Sequence, residues 1–170
     1  MRTRRTRALS RSKIKSLAEL KKIIYRLKSQ GKRVVFTNGC FDLLHWGHVK
    51  YLEEAKRKGD ILVVAINSDS SVRRLKGKFR PIIPQKDRLL TIAGLESVNY
   101  VTAFKEDTPL KIIKLLNPDI LIKGSDWQKN NIIGSSFVQG QGGNVFTIKL
   151  AKGRSTTSLI EKIAKSLQLS

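Results

Sequence analysis

Two short runs, Val34-Val35-Phe36 and Ile61-Leu62-Val63-Val64-Ala65-Ile66, are apolar at every position. A strand with one wet face alternates polar and apolar residues, so an unbroken apolar run predicts a strand covered on both faces. Sheets of that kind are parallel and carry helices on either side. The neighbouring segments fit this plan. Leu17, Leu20, Ile23, Ile24 and Leu27 share one helical face behind Ser16, an N-cap with Glu19 three residues on, and Gly31 stops that helix. Strand one, Arg33 to Thr37, is followed by a segment in which Val49, Tyr51, Leu52 and Ala55 recur at helical spacing.

Beyond the second run, Asn67 to Ser71 is rich in capping and turn residues, and the basic stretch Arg73 to Arg80, closed by Pro81 and Pro84, is expected to be a loop. Gln85 to Leu95 is helical by the spacing of Leu89, Leu90, Ile92 and Ala93, and Val98 to Thr102 forms strand three. Thr108-Pro109 opens a helix through Leu116, and Asp119 to Ile122 is strand four. A weak helical stretch, Asn130 to Gln139, precedes strand five at Asn144 to Ile148, and a final helix covers Leu159 to Leu167. The alternation predicts an α/β fold: a doubly wound, mostly parallel, five-stranded Rossmann-like sheet. Its polar loops follow strands one, two, four and five, so they can converge on one crevice at the carboxyl ends of the strands.

The formal charge is +21, and Met1 to Lys15 holds seven of the cations and no acid. We therefore expect a basic, solvated tail over residues 1–15 and a single domain over 16–170. Contact of that tail with nucleic acid or an anionic membrane, and a transit-peptide role, are the competing readings. No apolar run approaches the roughly 18 residues needed to span a bilayer, and no secretory signal core follows the basic start, so a soluble, cytoplasmic protein is expected. The single cysteine, Cys40, excludes an internal disulfide partner and a cysteine-based zinc cage, and it is expected to be a small buried filler.

Between strand one and the following helix lies Thr37-Asn38-Gly39-Cys40-Phe41-Asp42-Leu43-Leu44-His45-Trp46-Gly47-His48, which contains both histidines of the chain. A glycine turn into a helix directs backbone N–H groups and the positive end of the helix dipole at an anion. His45 and His48 lie three apart around Gly47, so both imidazoles can face one side of the first turn. The stretch is thus a candidate site for nucleotide phosphates, able to stabilise charge during phosphoryl or nucleotidyl transfer. A chance His-x-Gly-His or a metal pair is the plainer alternative.

The pattern Gly-x-Phe-Asp-x-x-His-x-Gly-His resembles the signature of the nucleotidyltransferase superfamily. With Asn67-Ser68-Asp69, Leu75-Lys76-Gly77, Arg80-Pro81, Lys123-Gly124 and Gly153-Arg154-Ser155-Thr156-Thr157, the chain is similar to the heptose 1-phosphate adenylyltransferase branch over Leu17 to Ile163. That resemblance implies ATP with Mg2+, a sugar phosphate acceptor attacking the α-phosphorus directly, release of pyrophosphate, and a role in lipopolysaccharide precursor synthesis. It implies that His45 and His48 contact the nucleotide's phosphates, with Asn38, Gly39 and Phe41 lining their turn. Lys123, Asp126 and Trp127 would surround base or ribose, and Ser155, Thr156 and Thr157 would hold the β- and γ-phosphates, although a plain helix cap uses the same residues. Lys76 would reach the α-phosphate or the acceptor phosphate, Arg88 would serve the acceptor, and Asp42 would face the junction of nucleotide, Mg2+ and sugar phosphate. A homo-oligomer is also expected.

Departures from the branch pattern are Gly124-Ser125-Asp126-Trp127 in place of Gly-Gly-Asp-Tyr, and Lys86 where an acid is usual. Leu44-His45-Trp46-Gly47-His48 resembles the glycerol 3-phosphate cytidylyltransferase branch, which stands as the second reading. From a different class, a basic nucleic-acid-binding module built on a nucleotide fold is the third.

Overall fold

The computed structural model describes residues 10–125, 131–149 and 156–168. Its elements are α1 (Leu17–Ser29), β1 (Val34–Gly39), α2 (Trp46–Lys56), β2 (Ile61–Asn67), α3 (Asp69–Lys76) and α4 (Gln85–Ala93). They continue as β3 (Tyr100–Phe104), α5 (Leu110–Leu116), β4 (Ile120–Gly124), α6 (Ser135–Gly140), β5 (Asn144–Ile148) and α7 (Thr156–Gln168). The five strands form one parallel sheet in the order β3-β2-β1-β4-β5. β1 pairs with β2 from Val34 opposite Ile61 to Gly39 opposite Ile66.

Both faces of the sheet are covered, which explains the unbroken apolar runs. Val35, Leu62, Val64, Ile66, Ile120 and Ile122 pack on one side with Tyr51, Leu52 and Ala55 of α2 and Ile92 and Ala93 of α4. Val34, Phe36, Val63, Ala65, Leu121 and Val145 pack on the other with Leu20 and Ile24 of α1 and Ile112, Ile113 and Leu116 of α5. Successive residues of one strand thus feed different cores, as the two-residue strand period requires. The chain winds outward from β1 to β3, then crosses back to β4 on the other flank of β1. The switch point therefore lies between β1 and β4.

Several expectations change. The basic stretch is not a loop throughout: α3 runs to Lys76, because Ser68 caps it by accepting the Ser71 N–H and Val72 is buried beneath it. Only residues 77–84 are irregular. The acid-free tail does not end at residue 15 as solvated chain. Residues 10–13 are helical, Ile14 pairs with Val101 on the outer edge of β3, and the Lys15 N–H donates to the Val101 carbonyl at 2.9 Å. Finally, α7 starts at Thr156, ahead of the expected Leu159. The capping box at Ser16 and Glu19 is present as expected, and among the described residues no helix is long and apolar enough to cross a membrane.

Candidate active site

The site begins where β1 runs out of partners. Gly39 is the last residue of β1, and a Cβ there would come within 3.0 Å of the Phe41 ring. Glycine therefore lets that ring fold back against the strand end. Phe41 takes a left-handed backbone, φ 47°, which reverses the chain and brings its ring 5.4 Å from the His48 imidazole.

His45 is the N-cap of α2 and its Nδ1 accepts the Gly47 N–H at 3.1 Å. His48 reaches back, its Nδ1 accepting the His45 N–H at 3.4 Å. This is a capping box made of two imidazoles. The rings stack with centroids 4.0 Å apart. Because each Nδ1 accepts, the neutral tautomer of each ring carries its hydrogen on Nε2. Burial first, and then the neighbouring His45, lower the His48 pKa to about 4. At neutral pH His48 is therefore an uncharged hydrogen-bond donor.

His48 opens onto a cleft of about 640 Å³ across the carboxyl ends of the strands, within the size range of small-ligand sites. Asn38, Gly39, Phe41 and Asp42 line it from β1 and its turn, Lys76 from the end of α3, Lys123 from β4, and Thr156 and Thr157 from the first turn of α7. His45 stacks against His48. Lys123 Nζ donates to the Asn38 carbonyl at 3.3 Å, tying β4 to β1 across the switch point. The Asn38 Oδ1 is buried without a hydrogen-bond partner among the described residues, a group that a ligand's donor can satisfy. Asp126, Trp127 and Ser155 lie outside the described residues.

Two expected acceptor ligands are committed elsewhere. Arg88 does not line the cleft: its side chain is fully buried and four of its five donors are used. Nε donates to the Ile83 carbonyl, Nη1 to the carbonyls of Cys40 (2.6 Å) and Asn67 (2.9 Å), and Nη2 to Asp69 Oδ1 at 2.7 Å. It is a brace joining the β1 turn, the end of β2 and the 77–84 loop. Asp42 lines the cleft, yet its carboxylate accepts from Arg80 Nε (2.6 Å) and the N–H groups of Ile82 (3.0 Å) and Ile83 (2.8 Å). Burial alone would raise its pKa, but the Ile83 and Ile82 N–H groups and Arg80 together hold it below the ordinary carboxylate value.

Among the described residues no group of three His, Cys, Asp or Glu side chains could hold a metal ion. With Asp42 so engaged, these residues do not form a protein-held metal site. Burial raises the Cys40 pKa, offset in part by Lys76, Arg88 and Arg80, so the thiol stays protonated and is no nucleophile at neutral pH.

Sequence reasoning missed several cleft residues: Arg80, Asp107, Thr108, Pro109, Ile132 and Ile133. Arg80-Pro81 carried a signal as part of the resemblance. Thr108-Pro109 was legible only as a helix start, and the two isoleucines only as apolar periodicity.

Replacing Arg88 by Met should lower stability by about 3–5 kcal/mol, measured by urea unfolding, because it strands Asp69 and three buried or part-buried carbonyls. The His48 shift has a definite sign. Its folded pKa of about 4 lies below the unfolded value of about 6.5, so the unfolded chain takes up the proton first. Stability is full above about pH 6.5, falls by about 2–3 kcal/mol as pH drops to about 4, and then levels off. Urea unfolding from pH 7 to pH 4 should show that this component of the acid loss disappears in His48→Gln.

With this geometry in view, the comparisons with known proteins agree with one another. The cytidylyltransferase-like family model matches residues 36–161. A bifunctional protein HldE of Citrifermentans bemidjiense is 54% identical over 157 residues, covering 92% of this chain and 32% of that protein. One from Geobacter sulfurreducens is 52% identical over 155 residues, covering 91% and 32%. The chain thus spans about a third of the length of these curated relatives. A solved structure described as the lipopolysaccharide core biosynthesis protein from Thermoplasma volcanium superposes with a TM-score of 0.59 at 33% identity, covering 73% of this chain and 100% of that one. The parallel sheet, the paired histidines at the end of β1 and the family match over most of the domain lead to one statement: the chain belongs to the cytidylyltransferase-like family of nucleotidyltransferases.

Proposed function

We propose that the chain transfers the AMP moiety of ATP to a heptose 1-phosphate, giving ADP-heptose and pyrophosphate for lipopolysaccharide precursor synthesis. The observation that carries the reading is the stacked pair of imidazoles, each with Nδ1 engaged as an acceptor, at the N-terminus of α2. The pair sets the His48 imidazole on the cleft wall with His45 stacked behind it, and adds the helix dipole there. The signature loops, the kinship to bifunctional HldE proteins and the likeness to a lipopolysaccharide core biosynthesis protein support the substrate class.

The chemistry then follows from charge. A phosphate monoester is largely dianionic at neutral pH, so the acceptor oxygen needs no general base. It attacks the α-phosphorus of ATP, forming a new P–O bond as the bond from that phosphorus to the α,β-bridging oxygen breaks, and pyrophosphate leaves with the electron pair. His45 and His48 donate to the triphosphate as negative charge shifts toward the leaving group. Lys123 and the Thr156 and Thr157 hydroxyls hold the phosphates, and Lys76 meets the acceptor phosphate. Mg2+ arrives as part of the nucleotide substrate, MgATP, where it offsets the triphosphate charge. Catalysis is positioning and electrostatic stabilisation, with no covalent enzyme intermediate.

A second reading, CTP with glycerol 3-phosphate, is favoured by the description of the family model and by Leu44-His45-Trp46-Gly47-His48. One substrate panel separates the two. Each nucleoside triphosphate is mixed with heptose 1-phosphate, hexose 1-phosphates or glycerol 3-phosphate, and pyrophosphate is measured. ATP with heptose 1-phosphate should give the highest kcat/KM. His45→Ala and His48→Ala should each lower kcat by about 10²–10³-fold with an unchanged circular dichroism spectrum. No pyrophosphate from any pair would refute the enzyme reading.

A further inference from the structure

The switch point between β1 and β4 is where an α/β sheet takes its nucleotide. The cleft does not end there. It continues over the ends of β2 and β3, where its wall is made by Lys76, Arg80, Asp107, Thr108 and Pro109. Lys76 and Arg80 suit a phosphate. Asp107 does not.

Asp107 is exposed, yet it is not loose. Arg74 Nε and Nη2 both reach its Oδ1 at 2.7 Å, and Nη2 also donates to the Lys105 carbonyl at 2.7 Å. This clamp fixes the β3–α5 loop to α3. Both bonds fall on Oδ1, and Oδ2 takes no hydrogen bond from a described residue. The neighbouring Thr108 is exposed and adds a hydroxyl at the same wall. A fixed carboxylate oxygen repels a phosphate and accepts strongly from hydroxyl groups, and a threonine hydroxyl can donate to or accept from them. In a chain of net charge +21, an acid on the wall of an anion-gathering cleft needs such a reason.

We propose that Asp107 and Thr108 are specificity-determining residues that hydrogen-bond the hydroxyls of the acceptor's sugar ring while Lys76 and Arg80 take its phosphate. The wall selects a polyhydroxylated sugar phosphate over a small polyol phosphate such as glycerol 3-phosphate. The acceptor's role as substrate rests on the adenylyltransferase reading, so the test needs a binding measurement as well as a rate.

Calorimetry on the full chain would measure binding of heptose 1-phosphate, mannose 1-phosphate and glycerol 3-phosphate, and pyrophosphate release would give separate KM values for acceptor and ATP. Asp107→Asn and Thr108→Val should each weaken sugar 1-phosphate binding and raise its KM by about tenfold. The KM for ATP and the affinity for glycerol 3-phosphate should not move. A merely structural role would shift all of these together. Variants that bind the sugar 1-phosphates as the wild type does would overturn the proposal, and so would an equal rise in the KM for ATP. Wild-type protein that releases no pyrophosphate would remove the adenylyltransferase reading alone. Calorimetry would then still decide the wall: weakened sugar binding in the variants supports it, and unchanged or undetectable wild-type binding overturns it.

Discussion

The open end of the sheet depends on how three segments satisfy the backbone groups that the strand ladders leave open. The β1 turn, the end of β2 and the 77–84 loop meet where no ladder continues. Two charged side chains do the joining. The Arg88 guanidinium gathers the carbonyls of Cys40, Asn67 and Ile83 and pairs with Asp69. The Asp42 carboxylate gathers the N–H groups of Ile82 and Ile83 and pairs with Arg80. One supplies donors to stranded carbonyls and the other supplies acceptors to stranded N–H groups. Ion pairs with one partner fully buried add little net stability over apolar packing. What they add is a single arrangement, since Arg88 is satisfied only when all three segments are in place and Asp42 only when the β1 turn meets the 77–84 loop.

That arrangement fixes the histidines. Asp42 anchors the turn three residues before His45, and the imidazole capping box then starts α2 without a serine, threonine or aspartate. A carboxylate cap would be the commoner choice, but it would put a negative charge where the proposed reaction needs phosphates. Imidazoles cap the helix without adding a negative charge. The low His48 pKa follows from the same burial that stacks the rings. Local stability and ligand chemistry therefore draw on the same atoms.

Much of this was legible in the sequence, for reasons that differ by element. The continuous apolar runs at Val34 and Ile61 reported burial on both faces, and that alone led to the parallel sheet. The capping box at Ser16 and Glu19 is local chemistry, so it appears as written. Residues 73–76 were misjudged because their charges suggested a solvated loop, whereas arginine, leucine and lysine are good helix formers and the Ser68 cap with buried Val72 settles the matter. Arg88 was misjudged in the opposite sense. The resemblance implied an acceptor ligand, but only the tertiary structure shows that three carbonyls from distant segments converge on it. Long-range backbone satisfaction leaves no periodic trace in sequence. Asp107 and Thr108 were invisible as site residues for the same reason, since a loop after β3 reaches the cleft only through the strand order.

The strand order also explains how one cleft could treat the two anionic substrates of the proposed reaction differently. β1 lies at the centre of the sheet, so its turn meets ligands arriving from either side of the switch point. Toward β4 the walls offer Lys123, Thr156 and Thr157, neutral hydroxyls and a cation suited to a polyphosphate chain. Toward β2 and β3 they offer two cations and a clamped carboxylate, a mixed set suited to a phosphate carried on a hydroxylated body. His48 and the β1 turn lie between them. A reaction that joins a phosphate from each side needs its charge stabilisation at that boundary, and there the fold places donors with no charge of their own to favour either ground state.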